Sequence, residues 1–172
     1  METMIVWSCQ SGISDYSFRM KSQFEISAVG IVRSSRIEPE DDSWDEETSR
    51  IEMIAPFDAR SLMGLESFSH CLVVYVFDKA VWDDSKTSRH PRGNKDWPEV
   101  GIFAQRAKDR PNRLGVTACR ILEVNDSTVR VAGLDAIDGT PVVDIKPWMV
   151  EFGPRGEVSQ PRWASELMKD YW

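Results

Sequence analysis

The chain has 172 residues, 41% of them hydrophobic and 28% charged, with a formal net charge of −7. That length and composition describe one globular domain with a sizeable core, and no apolar run approaches the ~20 residues that a membrane-crossing helix needs. Two histidines and three scattered cysteines offer no metal-ligand spacing. Cys9, Cys71 and Cys119 read as reduced thiols of a cytoplasmic protein, with Cys71 and Cys119 set inside apolar runs as core residues.

Residues 1–23 show no apolar period and are expected to form an N-terminal extension; Met1–Trp7 also lacks the basic-then-apolar order of a signal peptide. Phe24 to Val32 alternates and predicts a first strand. Residues 38–47 then hold seven acids and no base, so a mobile, solvated loop is expected there. Ser49–Ile54 predicts a second strand. Pro56–Ser69 predicts a compact turn or a single helical turn. Cys71–Phe77, almost wholly apolar and β-branched, predicts a strand buried on both faces. Asp78–Pro98 is a long polar loop carrying Trp82 and Trp97, of the size that often serves binding.

The stretch from Gly101 to Gly115 predicts a short apolar strand, then a turn at Asp109-Arg110-Pro111-Asn112, then a strand from Leu114 to Val124 lying beside the first. Arg106, Lys108, Arg110 and Arg113 crowd its tip. Guanidinium groups held on a tight turn can grip a carboxylate or phosphate bidentately, although a solvated basic loop has the same composition. Between Lys86 and Arg113 stand eight bases and three acids, so the surface is expected to be polarised between this region and the acidic loop.

Asn125-Asp126 predicts a hairpin tip leading to a strand at Thr128–Leu134, and Val142–Ile145 predicts the last strand. Between them run Gly133-Leu134-Asp135-Ala136-Ile137-Asp138-Gly139-Thr140-Pro141, with Asp144 and Lys146 on one face by strand alternation and able to form a plain ion pair. Residues 151–172 read as an irregular tail ending in a short helix from Trp163 to Trp172. Six or seven short strands with little helix make the chain all-β, a sandwich or a barrel.

Four motifs, in order, carry a resemblance. Val29-Gly30-Ile31-Val32-Arg33-Ser34 and Gly64-Leu65-Glu66-Ser67-Phe68-Ser69-His70 come first. Phe103-Ala104-x-Arg106 with Arg110-Pro111-Asn112 and Gly115 follows, and then Gly133 to Pro147. Together these resemble the TsaA-like (TrmO/YaeB) family of tRNA methyltransferases over roughly residues 24–150. Departures are Gln105 for Thr, Ala107-Lys108 for Ser-Pro and Arg113-Leu114 for Pro-Ile.

The resemblance implies a small single-domain β-barrel that binds S-adenosyl-L-methionine, works as a homodimer and methylates threonylcarbamoyl-adenosine beside the tRNA anticodon. It implies cofactor contacts from Ser69, His70, Phe103, Arg106, Val116, Leu134, Asp135, Ala136, Ile137 and Asp138. Arg106 suits the carboxylate, an Asp of 135–138 the ribose hydroxyls or adenine amine, and Phe103, Val116, Leu134 and Ile137 the purine. Arg110, Asn112 and Lys146 fall to the tRNA substrate, and Trp82 or Trp97 could stack on an unpaired base or simply pin the long loop. No residue stands out as general base. A binding module without transfer, or a methyltransferase for a small metabolite, remains the alternative.

Overall fold

A computed structural model describes residues 24–172; the expected N-terminal extension, 1–23, lies outside the described residues. The described residues form eight strands: β1 Gly30–Arg33, β2 Thr48–Met53, β3 His70–Val76, β4 Ser88–Arg89, β5 Val100–Gly101, β6 Leu114–Asn125, β7 Thr128–Ala132 and β8 Pro141–Pro147. Six of them close an antiparallel barrel in the order β1-β2-β7-β6-β3-β8, and β8 returns to β1 at Gly30↔Val142. Closure leaves no free sheet edge among these six. The helices are short, α1 Ala59–Leu62 and α2 Arg162–Leu167.

Period-two alternation explains the core. Val32, Ile51, Cys71, Val73, Tyr75, Cys119, Val129, Val131 and Val142 point inward and are almost wholly buried. Cys71 and Cys119 face each other across the β3–β6 ladder, and burial pushes the Cys71 thiol up to about 11. On β3 only alternate residues are fully buried, while Leu72, Val74 and Val76 are half-buried. The strand is therefore shielded fully on its inner face alone, not on both as its composition suggests.

Three further expectations change. The first strand begins at Gly30 rather than Phe24, because the register with β2 and β8 starts there and the backbone bonds to β8 reach back only to Val29; Phe24 and Ile26 stay exposed. The apolar stretch after Gly101 does not pair with β6. Ile102–Ala104 forms a 3-10 turn. Buried Gln105 then takes the carbonyls of Arg89 and Val100 at 3.1 and 2.9 Å, tying the stretch to the β4–β5 hairpin instead.

The acidic loop is docked. Trp44 is 3% exposed with the Arg36 guanidinium 4.3 Å above its ring, and Arg92 holds Asp42 at 2.6 Å with Asp41 at 3.7 Å. Acid and base segments thus meet rather than stand apart. Individual exposed ion pairs add little, so the apolar anchor at Trp44 supplies most of the attachment.

Glu47 closes that loop. Burial alone would raise its carboxyl, yet the hydroxyls of Ser34 at 2.6 Å and Ser35 at 3.0 Å, the Ser35 amide and the Arg36 guanidinium together hold it below the usual carboxylate range. A depressed folded pKa contributes stability above the unfolded value of about 4.3 and loses it as pH falls through the folded value. Glu47→Gln should therefore cost about 2 kcal/mol at pH 7 and lose less than the parent below pH ~4. Urea melts across that range check both; parallel acid limbs would remove Glu47 from the account.

Candidate active site

One cavity of about 160 Å³ collects the arginine turn and the Asp loop. Tyr75 and Phe77 come from β3 and its end, Arg106 and Arg110 from the turn, Gly115 and Val116 from β6, and Asp135 from the β7–β8 loop. Close approach of β3 and β6 requires the glycine, since Tyr75 is the direct partner of Gly115 and its ring lies over that position.

Asp135 is the centre of a hydroxyl cluster. Its Oδ1 accepts from Tyr75 at 2.7 Å and from Thr117, and its Oδ2 accepts from Tyr171 at 2.5 Å. Tyr75 and Thr117 rise from the barrel interior, 1% and 4% exposed, so these two donors are fixed by the core. Burial first, and the negative Asp135 second, push both phenols up, leaving Tyr75 and Tyr171 as protonated donors. Arg106 lines the same cavity and is exposed, donating to the Val116 carbonyl, and Arg110 donates to the Gln105 carbonyl at 3.2 Å. A carboxylate with ordered donors facing two guanidinium groups can receive hydroxyls on one side and an anionic group on the other.

The expected site residues divide. Arg106, Arg110, Val116 and Asp135 meet in this cavity. Leu134 and Ala136 are buried, and Leu134 belongs to the core cluster. The Ile137 carbonyl takes the Thr140 amide at 3.2 Å, and Asp138 accepts from the Ser34 amide at 3.1 Å, bracing the chain after β1. Phe103 is 81% exposed, outside the cavity lining, and Asn112 is exposed with φ 61°.

Ser69 and His70, 2.9 Å apart by Oγ and Nδ1, stand at the far end of β3. His70 lies four positions before Val74, the partner of Val116, or roughly 13 Å along a strand. Lys146 pairs with Asp144 on β8, opposite Leu72. Asp144 instead borders a second groove of about 480 Å³, walled chiefly by apolar side chains such as Phe57, Leu62, Leu65, Phe68 and Ile145. Trp97 donates to Glu166 of α2 at 3.0 Å, pinning the long loop to the tail.

Sequence reasoning missed Tyr75, Phe77, Thr117 and Tyr171. Tyr75 and Thr117 alternate inward like ordinary core positions, and only a polar side chain inside an apolar strand hinted at a buried partner. Among the described residues no group of His, Cys, Asp and Glu is placed to hold a metal ion, and no helix is long and apolar enough to cross a membrane.

Fold and pocket define a small closed antiparallel barrel that gathers a carboxylate and two guanidinium groups beside its β3–β6 seam. The chain belongs to the TrmO family: the family profile described as the tRNA-methyltransferase O N-terminal domain matches residues 32–153. A crystal structure of TrmO from Pseudomonas aeruginosa superposes with a TM-score of 0.68 at 25% identity, over 84% of this chain and 63% of that one.

The human protein named tRNA (adenine(37)-N6)-methyltransferase is 37% identical over 101 residues, 59% of this chain but 23% of its own length. A probable S-adenosyl-L-methionine-binding protein of Pyrococcus abyssi is 31% identical over 135 residues, 76% of this chain and 71% of its own. The chain thus spans less than a quarter of the human relative and most of the archaeal one.

Proposed function

We propose that the chain binds S-adenosylmethionine in the Asp135–Arg106 cavity and transfers its methyl group to N6 of adenine 37 in tRNA, with threonylcarbamoyl-adenosine as the modified acceptor. The observation that carries this reading is the convergence of Arg106 and Asp135, from motifs about 30 residues apart, in one pocket of a TrmO-family barrel. The donor set suits the cofactor: a guanidinium for its carboxylate, an ordered carboxylate for its ribose hydroxyls, and Phe77, Leu114 and Val116 for apolar surface. The cofactor supplies a methyl group on a positively charged sulfur, open to in-line displacement. Arg106 and Asp135 contribute by positioning, which such a displacement chiefly needs. Phe103, Ile137 and the Ser69–His70 pair would reach the cofactor only as further walls of an assembled site.

For tRNA, Arg110, Asn112 and Lys146 stay candidates. Arg92, inside the basic segment from Lys86 to Arg113, is engaged by Asp41 and Asp42. Exposed Lys95 and Lys108 are in no ion pair among the described residues, and they are the better phosphate contacts. Two-fold dimers are the commonest closed assembly of identical chains, and light scattering should give twice the mass of a single chain.

The test supplies labelled S-adenosylmethionine with tRNA carrying or lacking threonylcarbamoyl-adenosine. Label should appear only in the modified tRNA, with an affinity that falls as salt rises. Stoichiometric cofactor binding without label in any tRNA would favour the second reading, a binding module, which the name of the archaeal relative supports.

A further inference from the structure

One of the donors to Asp135 comes from outside the family domain. Tyr171 lies beyond the matched range 32–153, and its hydroxyl occupies Oδ2 of Asp135. Tyr171 therefore engages one of the two groups that the proposed reading assigns to the cofactor. The remaining cavity is about 160 Å³, whereas pockets for ligands of nucleoside size or larger run to roughly 300–1,000 Å³. A ligand of that size needs more room around Asp135, where the Tyr171 hydroxyl is bonded.

Of the three hydroxyls on Asp135, only this one can leave. Tyr75 and Thr117 are built into the barrel wall. Tyr171 sits on a tail whose helix α2 buries no residue. The tail is fastened by few bonds, which run mainly to the acidic loop and the long loop. The Ser43 and Trp44 amides donate to the Asp170 and Tyr171 carbonyls at 2.9 Å each, and Trp97 reaches Glu166.

We propose that Tyr171 is an affinity-determining residue of the cofactor site: its hydroxyl takes the place on Asp135 that a ligand hydroxyl takes, and the tail from Pro161 to Trp172 swings aside as the ligand enters. This rests on the reading that Asp135 receives hydroxyls of S-adenosylmethionine. A site closed in most molecules binds with an affinity reduced by the open fraction, so releasing the tail tightens binding.

Calorimetry with S-adenosylmethionine on the full chain tests it, comparing the parent with Tyr171→Phe, Tyr171→Ala and Arg106→Ala. Tyr171→Phe keeps the ring and removes the donor, and should bind roughly 10-fold more tightly; Tyr171→Ala should bind at least as tightly as Tyr171→Phe. In the parent, cofactor should also speed hydrogen exchange at the Ser43 and Trp44 amides, which the tail protects. Equal or weaker binding by Tyr171→Phe, or slower exchange at those amides, overturns the proposal. If Arg106→Ala weakens binding while Tyr171→Phe leaves it unchanged, the tail is inert and the cofactor reading stands. If neither the parent nor any Tyr171 variant binds, both fall together.

Discussion

Gly115→Ala is expected to destabilise the protein by about 3 kcal/mol, the upper part of the usual range for overpacking a well-filled core. A methyl group at this position would overlap Cε2 and Cζ of Tyr75 and lie 2.9 Å from its hydroxyl. Tyr75 has little room to retreat. It is 1% exposed, its ring meets Phe77 edge-on at 5.2 Å, and its hydroxyl is committed to Asp135 and Thr117. Relief by separating β3 from β6 would break the ladder with the longest register in the barrel. Urea unfolding should show the midpoint falling, with cofactor affinity lost in step as the pocket wall deforms. A midpoint equal to the parent's would mean that Tyr75 can repack, and the rigid account of the Asp135 cluster would go with it.

Arg106→Ala is expected to weaken S-adenosylmethionine binding by about 1.5–3 kcal/mol, the range for a hydrogen bond to a charged group, or roughly 10- to 150-fold. Stability should hardly move, because Arg106 is exposed and, among the described residues, its guanidinium bonds only the Val116 carbonyl. Arg106→Lys should recover part of the loss, since an ammonium keeps the charge but not the planar fork that matches a carboxylate. Titration calorimetry reads all three. Unchanged affinity in Arg106→Ala would place the carboxylate elsewhere, with Arg110 in the same cavity the next residue to replace.

The strands β2, β6 and β7 were legible to within a residue or two at most boundaries because alternation and turn chemistry are local. Ile51 and Met53 against Arg50 and Glu52, or Asn125-Asp126 with Asp126 at φ 47°, carry their conformation in a handful of neighbouring residues. The family motifs likewise marked Arg106 and Asp135 before their geometry was known. Local pattern could not separate the 3-10 turn at Ile102–Ala104 from a strand, because what decides it is the amide of Gln105 reaching back to Arg89, 16 residues away.

Composition made residues 38–47 a solvated loop. Trp44 and Glu47 are nonetheless buried, because Arg36, Ser34 and Arg92 neutralise and cover the acids from outside the decapeptide. The site shows the same division. Sequence determined which groups the chain owns and on which strand faces they fall. Tertiary structure alone decided that Tyr75, Thr117 and Tyr171 converge on Asp135 across separations of 60, 18 and 36 residues. A buried or half-buried carboxylate must find its donors wherever closure of the barrel brings them, and closure is a property of all six strands together.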